Sequence, residues 1–263
     1  MKILITGAKG QLGQDCAKVL GTENTVYGFS SQDLDISNHD QVQQHFQVIK
    51  PDFVVNCAAY TAVDKCETDQ DSCWRVNAEG AGIIASICAE NKARMIHIST
   101  DYVFDGNKSV PKPYKEEDPV HPLSQYGASK QAGEEQIRNR LENHLILRTA
   151  WLYGIGGSNF FKTMLRLAVS DPNRTIRVVN DQYGSLTWTH RLALQIKTLL
   201  TKDVTGTFHA TAEGHSTWND GAKLFLEAMK VPFTLEPCST NDYHTPARRP
   251  TNSIIANNHV TKN

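Results

Sequence analysis

The sequence carries no excess of either charge: 27 Lys and Arg stand against 28 Asp and Glu over 263 residues, a formal charge of -1. So even a balance supplies no field for drawing in nucleic acid or an anionic membrane surface, and neither partner is expected. No apolar run approaches the roughly 18 residues that a membrane span needs. The opening Met1-Lys2-Ile3-Leu4-Ile5-Thr6-Gly7 enters a short β-rich run at once, without the longer apolar stretch and small-residue cleavage site of a secretory leader. The six cysteines (Cys16, Cys57, Cys66, Cys73, Cys88, Cys238) include no C-x-x-C pair. That argues against a disulfide framework or zinc site and for reduced thiols in a cytoplasmic protein. The ten histidines offer no H-x-H or H-x-x-x-H spacing, so no protein metal site is expected. His97, in an apolar strand, reads as a satisfied core residue. There is no G-x-S-x-G elbow to suggest a hydrolase, no internal repeat and no low-complexity tract. The sequons at Asn107 and Asn173 would not meet the glycosylation machinery in a chain without a leader.

What the chain does have is alternation. Its first half predicts strands at Lys2 to Thr6, Thr25 to Phe29, Phe53 to Asn56, Met95 to Ser99 and Leu145 to Arg148. Helical patterns separate them at Gln11 to Leu20, His39 to Ile49, about Asp71 to Asn91, and about Ser124 to Leu141. Strands spaced by helices of this size predict an α/β fold, a doubly wound parallel sheet covered on both faces. Beyond residue 150 the pattern weakens. Asn159 to Ala168, Thr189 to Leu200 and Trp218 to Met229 read as helices, and Thr207 to Thr211 as a strand. The expected division is a dinucleotide-binding domain over 1–150 and a smaller α/β substrate lobe over 151–263, with segments near 187–212 packing back on the first. Asn252 to Asn263 is polar and reads as a disordered tail.

Gly7-Ala8-Lys9-Gly10-Gln11-Leu12-Gly13 lies between the first strand and the first helix. Glycines at 7, 10 and 13 permit a tight turn, close approach of backbone to a pyrophosphate, and close helix–strand packing, with the helix N-terminus facing the phosphates. NAD-preferring sites often place an acid at the end of the second strand; here Tyr27-Gly28-Phe29-Ser30-Ser31-Gln32 has none, and two hydroxyls could receive a 2′-phosphate. This leans toward NADPH and leaves NADH open, since no Arg stands beside them. Asp33 and Asp35 fit a solvated turn; Asp35-Ile36 could instead flank the adenine.

Tyr126-Gly127-Ala128-Ser129-Lys130 puts a phenol and an ammonium four residues apart, on one face of a helix, 26 residues beyond Thr100. A free tyrosine, with a pKa near ~10, is a poor acid or base at neutral pH. A neighbouring cation favours the phenolate and would equip Tyr126 to hand a proton to a carbonyl oxygen as hydride reaches its carbon. By itself the spacing arises often by chance, in an ordinary helix with an exposed Lys and a half-buried Tyr.

Together with Asn56-Cys57-Ala58-Ala59-Tyr60-Thr61-Ala62-Val63-Asp64, Val76-Asn77-Ala78, Ser99-Thr100-Asp101-Tyr102-Val103-Phe104-Asp105-Gly106, Arg148-Thr149-Ala150-Trp151-Leu152-Tyr153-Gly154 and Arg249-Pro250-x-Asn252-Ser253, these motifs run through nearly the whole chain. The sequence resembles the extended short-chain dehydrogenase/reductases and, within them, the dTDP-4-dehydrorhamnose reductase family. The resemblance implies a Rossmann-type fold and NAD(P)H-dependent reduction of a dTDP-4-keto-6-deoxy sugar by a monomer or homodimer. It casts Tyr126 as proton donor, Lys130 as its pKa-lowering partner and ribose ligand, and Thr100 as the hydrogen-bond partner of the reacting oxygen. Gly7, Gly10, Gln11, Leu12, Gly13, Ser30, Asp35, Ile36, Ala58, Ala59 and Tyr60 would surround the cofactor. Val63, Asp101 and Trp151 would line the sugar pocket. Arg249, beside Arg248, is either part of a basic surface patch or a partner for the nucleotide-sugar diphosphate.

Departures from the family fall in the second lobe. Leu186 replaces a proline within Gly184-Ser185-Leu186-Thr187, Arg191 stands where relatives carry Asp, and relatives continue past Asn263 with a closing helix. These bear on sugar specificity, on dimerisation and on any magnesium ligand, which this sequence does not support, more than on hydride chemistry. Two rival readings remain. A 4,6-dehydratase would follow the reacting Thr with Asp-Glu, where this chain has Asp101-Tyr102. A non-catalytic regulator, resembling the β subunit of methionine adenosyltransferase, would bind NADP without chemistry.

Overall fold

A computed structural model describes residues 1–259. The first half builds β1 (Lys2–Thr6), α1 (Gln11–Leu20), β2 (Thr25–Phe29), α2 (His39–Ile49) and β3 (Phe53–Asn56). Next come α3 (Val63–Cys66), α4 (Gln70–Trp74), a π-helical turn over Arg75–Gly80, α5 (Ala81–Glu90), β4 (Arg94–Thr100), α6 (Gln125–Arg140) and β5 (His144–Thr149). The second half adds β6 (Leu152–Tyr153), α7 (Phe160–Ser170), β7 (Thr175–Val179), β8 (Tyr183–Gly184), β9 (Thr187–Trp188), α8 (Thr189–Leu200), β10 (Gly206–His209), β11 (Ser216–Thr217), α9 (Trp218–Ala228) and β12 (Thr234–Cys238). Among the described residues no helix is long and apolar enough to cross a membrane.

Six strands form one parallel sheet in the order β10-β5-β4-β3-β1-β2. Successive side chains of a strand point to opposite faces, so each strand feeds both sides of the sheet. Ile3, Ile5, Val55, Ile96 and Leu147 meet α1 and α8 on one face. Leu4, Val54, Met95 and Ile146 meet α2, α5 and α6 on the other. The stripe Leu12, Cys16, Val19 and Leu20 is what fastens α1 to the sheet; each fully buried aliphatic contributes roughly 1.5–3 kcal/mol of transfer free energy. The Rossmann-type, doubly wound arrangement expected from the alternation is the observed one. Its chain order reverses around β1, where β2 leaves to one side and β3 to the other, and ligands bind outside the carboxyl ends of strands at such a point.

The smaller lobe has its own core, in which Met164 and Ala168 of α7 pack with Ile176 and Val178 of β7 and with Ala222 and Leu226 of α9. β7 pairs with β12 in parallel, two strands the sequence reading missed. One expectation holds with a refinement and one needs correction. The helix expected over about Asp71 to Asn91 runs without a gap from Gln70 to Glu90, with its middle, Arg75–Gly80, π-helical; there the buried Asn77 amide accepts from the Tyr60 N–H at 2.9 Å and donates to the Tyr60 carbonyl and to Ser129. The tail from Asn252 is not disordered as far as residue 259. Asn252 is fully buried and donates to the carbonyls of Lys108 and Lys112, and Ile255 packs with Phe104 and Tyr114. Polar composition there reflects internal hydrogen bonding, and the rest of that stretch, 260–263, lies outside the described residues.

Candidate active site

The carboxyl ends of β1, β3, β4 and β5 open into a cleft of about 780 Å³ between sheet and small lobe. One end is made by the glycine turn. Gly7 has φ +66°, and a Cβ there would sit 2.7 Å from the Ala58 nitrogen; a Cβ on Gly13 would lie 2.2 Å from the Gly7 carbonyl oxygen. Only hydrogen fits at either place, so the turn, the following helix and the end of β3 touch backbone to backbone. Helix α1 then starts at Gly10 with no side-chain cap, whereas α2, α6 and α9 are capped by Asn38, Ser124 and Thr217. Uncapped N–H groups facing a cleft, with the helix dipole behind them, are a ready anion site. The residues present fit a dinucleotide.

At the end of β2 the structure corrects the sequence argument. Asp33 folds back, and its carboxylate accepts from the Ser30 hydroxyl at 2.5 Å and the Ser30 N–H at 3.0 Å. Those two bonds hold its pKa below the usual carboxylate range. A carboxylate does therefore stand beside Ser30, and the Ser30 hydroxyl is already engaged. No Arg stands beside Ser30 and Ser31 in the sequence, but Lys9 lines the cleft and adds its pull to lowering the Asp33 pKa. Asp35 and Ile36 line the same end of the cleft.

The other end gathers the chemistry. Ala58, Ala59, Tyr60, Val63, Thr100, Asp101, Tyr126, Lys130 and Trp151 line the same cleft, as do Gln11 and Leu12 beside the glycine turn. Ser124 caps α6, accepting from the Gly127 N–H, and so fixes where Tyr126 and Lys130 leave the helix. Burial pushes the Tyr126 phenol well above its ordinary pKa, opposed by the Thr100 hydroxyl and reinforced by Asp101 and Tyr102. The phenol holds its proton at neutral pH, contrary to the lowering expected from its Lys130 neighbour, because burial outweighs the groups that favour the phenolate. Lys130, fully buried, donates to the Ile98 carbonyl at 2.7 Å and lies 3.1 Å from His97 Nε2; burial lowers its pKa to about 8. His97 does sit in the core, as expected from its strand, but at the back of the site.

Asp101 is a buried acid with one oxygen unpaired. Its Oδ1 accepts from Thr100, while Oδ2 has no hydrogen-bond partner among the described residues. Burial raises its pKa to about 6 against the pull of the Ser253 and Thr100 hydroxyls. The folded state thus holds this proton more tightly than the unfolded chain, and the fold loses stability as pH rises from about 4 through about 6. Asp101→Asn is expected to raise stability at pH 8, by up to about 3 kcal/mol, and to gain almost nothing below pH ~4. Denaturant unfolding at the two pH values checks it; an equal gain at both would exclude titration of Asp101 as the cause.

Trp151 is held at φ 47°, a strained backbone for a bulky residue. Its ring stacks on Trp218 at 3.7 Å and 7°. Trp218 and Tyr102 also line the cleft, and the sequence reading missed both. Arg249, by contrast, does not line it. Its guanidinium is committed to Asp64 at 2.8 and 3.0 Å and to the Ala247 carbonyl. Away from the cleft, Glu116, Glu117 and His259 approach one another closely. They are bonded among themselves, with His259 Nε2 2.8 Å from Glu117 and the His259 N–H on Glu116.

Comparison with known proteins follows the same lines. The family model for the RmlD substrate binding domain matches residues 1–263. The dTDP-4-dehydrorhamnose reductase of Escherichia coli (strain K12) is 40% identical over 270 residues, covering 97% of this chain and 89% of its own. The dTDP-4-keto-6-deoxy-D-glucose reductase of Streptomyces niveus is 39% identical over 228 residues, 86% of this chain and 78% of its own. A crystal structure of dTDP-4-dehydrorhamnose reductase from Bacillus anthracis str. Ames, in complex with NADP, superimposes with a TM-score of 0.95 at 38% identity, covering 99% of this chain and 92% of that one.

Proposed function

The chain belongs to the dTDP-4-dehydrorhamnose reductase family, and from that premise we propose that its cleft reduces the 4-keto group of a dTDP-4-dehydro-6-deoxy sugar, converting dTDP-4-dehydro-L-rhamnose to dTDP-L-rhamnose with NADPH. The observation that carries the reading is the convergence of Thr100, Tyr126 and Lys130 in the one cleft that also receives the uncapped start of α1.

Gly7, Gly10, Gln11, Leu12 and Gly13 would hold the pyrophosphate, Asp35 and Ile36 the adenosine end, and Ala58, Ala59 and Tyr60 the side toward the nicotinamide. Lys9 is the cation within reach of a 2′-phosphate; it would have to outweigh the Asp33 carboxylate. When bound, the cofactor supplies the hydride. Everything else falls to the protein. Tyr126 donates to the sugar carbonyl oxygen, and Thr100 would join it by turning its hydroxyl away from Asp101 Oδ1. As the C4–H bond forms, the electron pair of the carbonyl moves to oxygen, which takes the Tyr126 proton. The phenolate left behind is stabilised by the Lys130 ammonium and the Thr100 hydroxyl. The raised Tyr126 pKa keeps the proton in place until then. Asp101 and Trp151 line the cleft and would stand against the sugar ring.

The test is NADPH and NADH oxidation by the purified protein with dTDP-4-dehydro-L-rhamnose and with dTDP-4-keto-6-deoxy-D-glucose. The rhamnose precursor is expected to be the better substrate, and NADPH to bind at least as tightly as NADH. NADH preferred by tenfold, about 1.4 kcal/mol, would overturn the cofactor assignment; faster turnover of the D-gluco sugar would reassign the substrate. Failure to reduce any such sugar, with a methionine adenosyltransferase co-purifying, would favour the regulatory reading.

A further inference from the structure

Behind Lys130 runs a fully buried polar chain that begins at the end of β1. The Thr6 hydroxyl donates to Asn56 Oδ1 at 2.6 Å, Asn56 Nδ2 lies 2.9 Å from His97 Nδ1, and His97 Nε2 lies 3.1 Å from Lys130 Nζ. Each member is essentially without solvent exposure. In so dry a place the direction of each hydrogen bond matters, because two donors facing each other leave both unpaired.

The direction is set at Asn56. Its Oδ1 faces the Ala58 N–H at 3.3 Å as well as the Thr6 hydroxyl. A backbone N–H can only donate, so the amide oxygen belongs on that side and the NH₂ group faces His97. Nδ1 of His97 is then an acceptor. Burial and the neighbouring Lys130 hold the imidazole neutral, and a neutral ring with a bare Nδ1 carries its proton on Nε2. That N–H points at Nζ. The other groups that titrate or carry charge around Lys130 are Glu134 one turn along α6, Cys57 after β3 and Cys73 on α4. Glu134 is neutralised by Arg148 at 2.7 Å and Arg138 at 2.6 Å.

We propose that Asn56 and His97 are positioning residues of the reaction: Asn56 locks the His97 tautomer, and the Nε2–H so presented fixes the place of Lys130 Nζ and biases it toward giving up its proton. The ammonium faces one acceptor, the Ile98 carbonyl, and one donor, the imidazole. The amine accepts from the imidazole while still donating to Ile98, so both bonds are satisfied. Lys130 is thereby kept close to the point of changing charge, where it can follow the loss and return of the Tyr126 proton. This rests on the role given to Lys130 above, but its first readouts do not involve turnover.

The test uses the full chain and the variant Asn56→Asp. An aspartate keeps both acceptor contacts, to Thr6 and Ala58, and turns an acceptor toward His97. The ring must then carry its proton on Nδ1 and offer a lone pair to Nζ, which stabilises the ammonium. Nitrogen-15 NMR of the parent is expected to find the Nε2–H tautomer at His97. In the variant Nδ1 becomes protonated, and the Lys130 titration, followed through its Cε and Nζ shifts, moves up by about one pH unit, a tenfold rise in proton affinity. The alkaline limb of the kcat–pH profile moves the same way while KM for the sugar stays within about threefold. An Nδ1–H tautomer in the parent would overturn the proposal, and that measurement stands even if the variant does not fold. A folded variant with an unmoved Lys130 titration would overturn it too. A parent that shows the expected tautomer yet reduces no sugar would leave the buried chain intact and count against the reductase assignment.

Discussion

Tyr126→Phe is expected to lower kcat by about 10²–10⁴-fold, the range set by general-acid catalysis, with the fold and NADPH affinity retained. The ring lies at the N-terminal turn of α6, where its position is fixed by the Ser124 cap and by edge-on packing against Tyr102 at 5.6 Å, and neither needs the hydroxyl. Removing one oxygen opens no appreciable cavity. What disappears is the proton that the new alkoxide must receive, and the remaining partner at that oxygen, Thr100, already donates to Asp101. Single-turnover rates separate this from slow product release. Turnover within about threefold of the parent would show that another group supplies the proton.

The second large effect is on stability. Glu134 is wholly buried and holds the Ser99 hydroxyl at 2.6 Å, Arg148 through two bonds at 2.9 and 2.7 Å, and Arg138 at 2.6 Å. These contacts keep its pKa below the ordinary glutamate value despite burial. The network ties α6, which bears Tyr126 and Lys130, to the ends of β4 and β5. Arg148→Met leaves Glu134 with one half-exposed arginine and should cost about 3–5 kcal/mol, as expected when a buried ion pair loses one partner. The double variant Arg148→Met, Glu134→Leu removes both charges and should recover most of that loss. Urea unfolding of the two proteins decides it. Equal destabilisation of single and double variants would mean that packing of the long side chains, and not the stranded charge, carries the stability.

Legibility in the sequence followed the range of the interactions. β1, α1, β2, α2 and β3 have the boundaries that periodicity predicts, because each is decided by its own neighbours: apolar alternation in Lys2–Thr6, the Leu12–Cys16–Val19 stripe in Gln11–Leu20, and Pro51 ending the second helix. The glycine turn was legible for the same reason, since the close approach it serves lies within a single strand–turn–helix unit. Most of the features that were hidden are made by residues far apart in sequence, and Asp33 is the exception. Asp33 reaches only three residues back to Ser30, yet its return depends on the turn geometry after β2. Arg249 is held by Asp64, 185 residues away, and Asn252 by Lys108 and Lys112. Trp218 reaches the cleft because the second lobe folds over it. The apolar strand around His97 predicted a core position, but not that Lys130 would arrive from α6 beside it.

The resemblance to a known family assigned roles to Thr100, Tyr126 and Lys130, and the structure brings the three into one cleft with Asp101 and Trp151. The physical content added by the structure lies in the surroundings: burial that keeps the Tyr126 proton on, an acid at Asp101 with one oxygen unpaired, and an uncapped helix start at the other end of the cleft.

The central claim is that hydride is delivered to the sugar carbonyl in this cleft, with Tyr126 closing the proton account. The most direct measurement supplies NADPH carrying deuterium at the transferable C4 position, together with dTDP-4-dehydro-L-rhamnose, and locates the label in the product by NMR and mass spectrometry. One deuterium is expected at C4 of the sugar ring and none elsewhere, with loss of this labelled product in Tyr126→Phe. Cofactor oxidation without label at C4, or undiminished labelling by the Phe variant, would contradict the claim.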